Sequence, residues 1–118
     1  MPAPETSDWP DHLDALIAAP GHHRLLFEND AVRVVETILP PGERTPLHTH
    51  RWPGPLHLIS WSDILRRDAS GTVLMDSRTS GIERVAGVVT WGSALQPHTL
   101  ENVGDATFRA ITTELKHL

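Results

Sequence analysis

From Arg24 onward the chain is cut into short β-type runs by turn-forming residues, a spacing that fits a sandwich or barrel of strands and argues against further helices. The runs lie near 24–28, 31–39, 46–51, 56–61, 64–68, 72–77, 82–85, 88–91, 95–101 and 106–115. Turn chemistry marks several boundaries. Asn29-Asp30 and the Ala69-Ser70-Gly71 stretch separate apolar runs as hairpin turns do, and Pro40-Pro41-Gly42 cannot continue a central strand. Ahead of these runs, Trp9, Leu13, Leu16 and Ile17 fall on one helical face, which predicts a helix over 8–19. Ser7 or Asp8 can cap it, Pro10 suits its first turn, and Pro20-Gly21 closes it. Residues 1–7 are Pro-rich and expected to be a flexible N-terminus, leaving 8–118 as a single domain.

The charge balance narrows the partners. Ten Lys plus Arg stand against 15 Asp plus Glu, a net charge of −5 with no basic cluster, so nucleic acid is not an expected partner. No apolar run approaches the ~20 residues that span a bilayer, and the first residues lack the basic and apolar regions of a secretory signal. A cytoplasmic protein with no membrane partner is expected. Cysteine is absent, which removes disulfides, thiolate metal sites and thiol nucleophiles. Metal chemistry would fall to His, Asp and Glu, and the chain has eight histidines.

His48-Thr49-His50 lies in a predicted strand, where residues two apart project from one face, so both imidazoles could reach one metal ion. Two polar residues facing water explain an isolated pair as well. His98, some fifty residues later in another predicted strand, adds a third imidazole that a barrel could bring alongside. His22 and His23 adjoin the stop of the helix and are expected at the surface; His12 falls on the helix's polar side and His117 in the C-terminal tail.

Gly42, His48 and His50, followed by Gly87, His98 and Asn102, resemble in identity and spacing the two motifs of the cupin superfamily. The resemblance covers nearly all of residues 40–103 and implies an all-β, cupin-type barrel, a double-stranded β-helix or jelly roll, with a short N-terminal helix. It also implies a metal held by His48, His50 and His98. The departures matter equally. Where the first motif carries a metal-binding Glu, this chain has Gly54 or Pro55, and Trp61, Ser93 and Leu95 replace further motif residues. The site could be a three-histidine set, a set completed by another side chain, or a lapsed site.

His57 and Gln96 are the candidates for completing it. If the missing Glu corresponds to Pro55, His57 shares its inward face; if it corresponds to Gly54, the better overall match, His57 points out. Gln96, two residues before His98, is placed on its face as a ligand, a hydrogen-bonding partner of a ligand or a substrate contact. Trp52 is placed near the pocket mouth, with Trp61 and Trp91 as packing residues. Arg44, Arg51 and Arg109 are candidate partners for a substrate anion.

Three neutral imidazoles leave a divalent ion its full charge, which favours an anionic, chelating small molecule. A facial set of three would leave open positions, as in iron(II) oxygenases. Cupins with three histidines and no Glu include dioxygenases, so the resemblance implies an iron(II)-type dioxygenase, with manganese, nickel or zinc as other ions the site could take. Two alternatives stay open: a non-catalytic cupin that binds a small ligand, and an oxygen-independent metal-dependent lyase or isomerase. Resemblance to small cupins also implies a homodimer paired through sheet edges.

Overall fold

The computed structural model describes residues 8–81 and 85–118. Among these residues nine strands form two antiparallel sheets: β1 (His23–Glu28), β2 (Val32–Leu39), β3 (His48–His50), β4 (Gly54–Ser60), β5 (Ile64–Asp68), β6 (Val73–Asp76), β7 (Val89–Gly92), β8 (Leu95–Asn102) and β9 (Phe108–Leu115). One sheet has the order β1-β2-β9-β4-β7 and the other β3-β8-β5-β6. This is the all-β, cupin-type architecture the motifs implied. The strand expected over 82–85 falls mainly on residues outside those described, as does the expected flexible stretch 1–7. No helix among the described residues is long and apolar enough to cross a membrane.

The N-terminal helix is shorter than its apolar spacing predicts. Instead of one helix over 8–19 there is a 3-10 turn at Asp11–Leu13 and a single helical turn, α1, at Ala15–Ala18. Asp14 breaks the run: its backbone is extended (φ −51°, ψ 139°), and one carboxylate oxygen accepts the Leu16 amide as the cap of α1. Both carboxylate oxygens also accept from Arg33, at 2.8 and 3.1 Å. The face turned to the barrel is therefore Ala15 and Ala19, both fully buried, while Ile17 of the predicted apolar stripe is 63% exposed. Small side chains here let the arm lie close against β1 and β3.

The interior changes character along the strands. Phe108 and Ala110 of β9 pair with Leu39 and Thr37 of β2, and together with Leu58 and Ile64 they build the apolar end. Four and six residues beyond Phe108, the same inward face carries Thr112 and Glu114, with Val35 and Arg33 opposite. Period-two alternation thus turns an apolar floor into a polar end without changing strands. The two motif glycines serve turns. Gly42 (φ 79°) and Gly87 (φ 88°) both adopt the left-handed backbone that side chains resist. Asn102 ties a further turn: it donates to the Leu39 and Ala106 carbonyls and accepts from Ser62 and the Gly104 amide, so it is a structural residue here.

Candidate metal centre

His48 and His50 face the interior together, with ring centroids 5.0 Å apart. The register of β3 against β8 sets His98 opposite His48, their rings 4.3 Å apart, and His98 lies 5.6 Å from His50. A fourth ring completes the group. His23, the first residue of β1, stacks 4.6 Å from His48 and 5.2 Å from His50. Ligand atoms of His23, His48 and His50 all lie within 4.8 Å of one another, and the His98 ring adjoins both His48 and His50.

The placement of His23 corrects the sequence reading, which put it at the surface with His22. His23 is only 5% exposed. The chain turns after α1, and the carbonyl of buried Ala19 takes a hydrogen bond from His23 Nδ1 at 3.0 Å. Successive residues entering a strand face opposite ways, so His22 reaches outward to Glu43 at 2.9 Å while His23 turns inward. A single inward residue at the start of an otherwise exposed strand leaves no periodic signal.

Three of the four Nδ1 atoms have a hydrogen-bond acceptor, and the fourth faces a carboxylate. His48 Nδ1 donates to the Pro46 carbonyl at 2.8 Å, His98 Nδ1 to the Gln96 carbonyl at 2.6 Å, and His50 Nδ1 faces a Glu114 carboxylate oxygen at 3.6 Å. Carbonyl oxygens only accept, which fixes the proton on Nδ1 of His23, His48 and His98 and leaves the Nε2 lone pair free. Burial, followed by the neighbouring imidazoles, holds His23 and His98 down at about 2 and His50 at about 3. Burial lowers His48 as well. Neutral imidazoles with anchored Nδ1 atoms are the donors a divalent ion takes. Moreover, the buried Nε2 of His23 has no hydrogen-bond partner. The residues fit such an ion.

Glu114 anchors the arrangement from behind. Burial raises its carboxyl above the usual range, against the pull of Arg33, whose Nε donates to it at 2.8 Å. Arg33 also lies 5.0 Å over the Trp52 ring and binds Asp14, where its hydrogen bonds and charge outweigh burial and lower the carboxyl. The N-terminal arm, β2, β9 and His50 are thereby linked in one buried ionic network.

The place of the family's Glu cannot hold any side chain in this backbone. A Cβ on Gly54 would meet the Thr113 carbonyl oxygen at 1.7 Å. Gly54→Ala is accordingly expected to cost about 2 kcal/mol or more by forcing β4 away from β9. A thermal unfolding midpoint unchanged from wild type would contradict this.

The other predicted residues divide. Trp52 lines the cavity, as do Trp61 and Trp91; Trp61 also packs edge-on against Phe108 at the core, as expected of a packing residue, whereas Trp91 is 53% exposed. His57 is exposed and faces out, in line with Gly54 rather than Pro55 as the counterpart of the missing Glu. Gln96 is also exposed: a bulge pairs His50 with Leu95, so Leu95 takes the inward place and Gln96 contributes only its backbone carbonyl. Arg44 is exposed on an isolated bridge to Glu101, Arg51 binds Asp11 and the Trp9 carbonyl, and Arg109 binds Glu36. Instead Arg66, not singled out from sequence, lines the cavity. Ile64 two residues earlier gives its parity, but apolar Leu65 between them hides which face is inward.

The cavity has a volume of about 360 Å³, within the range of small-ligand sites. His23, His50 and His98 line it together with Trp61, Leu58, Phe108 and other apolar side chains. It can therefore hold a small, largely apolar molecule with one polar end toward the imidazoles.

No protein-family model and no curated protein matches this chain. Solved structures do. A cupin domain from Bordetella pertussis is 22% identical, with a TM-score of 0.63 over 80% of this chain and 92% of that one. An RmlC-like cupin with a double-stranded β-helix from Methanocaldococcus jannaschii is 14% identical, with a TM-score of 0.57 over 80% and 79%. The polyketide cyclase RemF from Streptomyces resistomycificus is 18% identical, with a TM-score of 0.55 over 99% and 80%. At these identities the likeness establishes the fold: this chain has the cupin fold.

Proposed function

We propose that this cupin-fold chain is a divalent-metal enzyme acting on a small anionic, oxygen-donating molecule, with His48, His50 and His98 as metal-holding residues and His23 completing the set. The observation that carries the reading is the common orientation of the rings: the Nδ1 atoms of His23, His48 and His98 donate to backbone carbonyls, that of His50 faces Glu114, and all four rings are held neutral, leaving Nε2 atoms for a cation. Iron(II) is the ion we favour, with manganese, nickel and zinc also suited to imidazole. When bound, such an ion supplies Lewis acidity toward a substrate oxygen and, as iron(II), oxygenase chemistry. The chain's own residues bind and orient. Uncharged donors favour an anion, and the apolar walls exclude the water that would compete for it.

The reaction class we favour is a dioxygenase. An oxygen-independent lyase or cyclase is the second reading, and His23 is what favours it: a fourth imidazole takes a place that three would leave open. The name of the RemF neighbour, a polyketide cyclase, accords with that alternative. Metal content after reconstitution with iron(II), manganese(II) or nickel(II) tests the shared premise; one ion per chain is expected, and none would overturn it. Nitric oxide, a surrogate for dioxygen, then separates the classes. An iron-nitrosyl EPR signal is expected for the dioxygenase, and its absence in fully iron-loaded protein would leave the lyase or cyclase.

A further inference from the structure

Arg66 lies on β5, where the register sets it opposite Leu100 of β8 and sets Asp68 opposite His98. Arg66 is therefore the diagonal neighbour of His98 on the inward face, within the reach of a long side chain. It lines the cavity with His98, His50 and Ile64. Four other arginines around the barrel have carboxylate partners, Arg33 with Asp14 and Glu114, Arg24 and Arg109 sharing Glu36, and Arg67 with Glu101, whereas Arg44 is exposed to water. No carboxylate pairs with Arg66 among the described residues, and no Asp or Glu lines the cavity there. The nearest acid in sequence, Asp68, accepts instead from Ser70 and Thr72 in the adjoining turn.

A half-buried guanidinium facing apolar walls is costly unless something neutralises it, yet among the described residues no Asp or Glu lines the cavity with this one. The missing partner is then a ligand. One guanidinium suits a monoanion, and its planar fork matches a carboxylate bidentately; a dianionic phosphate ester would find no second arginine or lysine among the lining residues described.

We propose that Arg66 is the anion-binding residue of the cavity and that the ligand is a carboxylate with an aromatic or branched apolar body, seated against Trp61, Trp91 and Met75. This rests on the proposed function in setting that ligand beside the metal-holding histidines, but it concerns a separate side chain. Arg66 leaves the charged end fixed and the apolar body free to select among substrates by size.

Benzoate is the probe, with benzamide as its uncharged counterpart, and quenching of the cavity tryptophans is the readout. Wild-type protein is expected to bind benzoate at least about tenfold more tightly than benzamide, and R66M to weaken benzoate by about 10- to 100-fold with benzamide and metal content unchanged. R66K should restore part of the preference. Equal binding of benzoate and benzamide by wild type would overturn the proposal, as would undiminished benzoate binding by R66M; the first comparison stands even if R66M does not fold. Inorganic phosphate displacing benzoate at equal concentration would overturn the carboxylate assignment. The two readings fail separately: an Arg66-dependent preference in protein that takes up no metal sinks only the metal reading, and full metal uptake with no preference sinks only this one.

Discussion

Replacing His23 by alanine is expected to weaken binding of a divalent ion by at least about a hundredfold, since even partners that touch only the ligands change metal affinity 10- to 100-fold. The expectation separates two donor sets that share His48 and His50. The cupin motifs add His98 to that pair, whereas the trio whose ligand atoms all lie within 4.8 Å of one another adds His23. If both histidines are ligands, H23A and H98A should each lose affinity in a competition titration against a chromophoric chelator. If H23A keeps wild-type affinity while H98A loses it, the set is the one the motifs imply, and His23 is a packing residue against the site. His23→Gln guards against a trivial result, because it fills much of the ring's volume while removing the aromatic nitrogen. Similar losses in H23A and His23→Gln would locate the effect in the donor atom, not in a cavity left by the ring.

How much of this was legible in the sequence follows from which signals are periodic or spaced. Strands β2, β4, β5, β8 and β9 are runs of five to eight residues bounded by turn-forming residues, and the two motifs mark their order, so the barrel and the inward pair on β3 could be read directly. His98 followed from motif spacing. His23 had neither support: it is the first residue of a strand whose remaining residues are all exposed, and no motif contains it. Gln96 was lost to one inserted residue. A bulge reverses parity locally, and nothing about Gln96-Pro97 announces on which side of it the alternation resumes. Glu114 could have been found, since counting by twos from Phe108 brings it inward, but a lone acid near the end of a strand ordinarily reads as solvent-facing. The truncated helix has a different cause. Its apolar spacing was real, and an ion pair to Arg33, distant in sequence, drew Asp14 out of helical backbone.

Metal-free protein is expected to unfold in mild acid, between about pH 6 and pH 4.5, because the four imidazoles are locked neutral when folded. Their folded values lie well below the ordinary imidazole value of 6.5, at about 2 for His23 and His98 and about 3 for His50, with His48 lowered too. Below 6.5 the unfolded chain takes up protons that the folded chain refuses, so the stability from neutral burial is complete above 6.5 and is lost as pH falls. Each ring contributes about 1.4 kcal/mol per pH unit, and four together about 6 kcal/mol per unit, comparable to the whole stability of a small domain. Glu114 works the other way. Its raised carboxyl takes up a proton in the folded state before the unfolded chain does, so as pH falls through the raised value toward 4.5 it offsets part of one histidine's loss, while the lowered Asp14 adds to the loss below 3.8. Urea titrations at successive pH values, followed by tryptophan fluorescence, should show a steep fall with an uptake of about three to four protons. H23A should flatten the slope by about one proton. A bound divalent ion competes with protons for the same Nε2 atoms, so loading the site should move the acid transition to lower pH, and chelation should return it. Metal-free protein that remains folded at pH 4 would show that these rings accept protons in place, and the tightly closed imidazole group described here would be wrong.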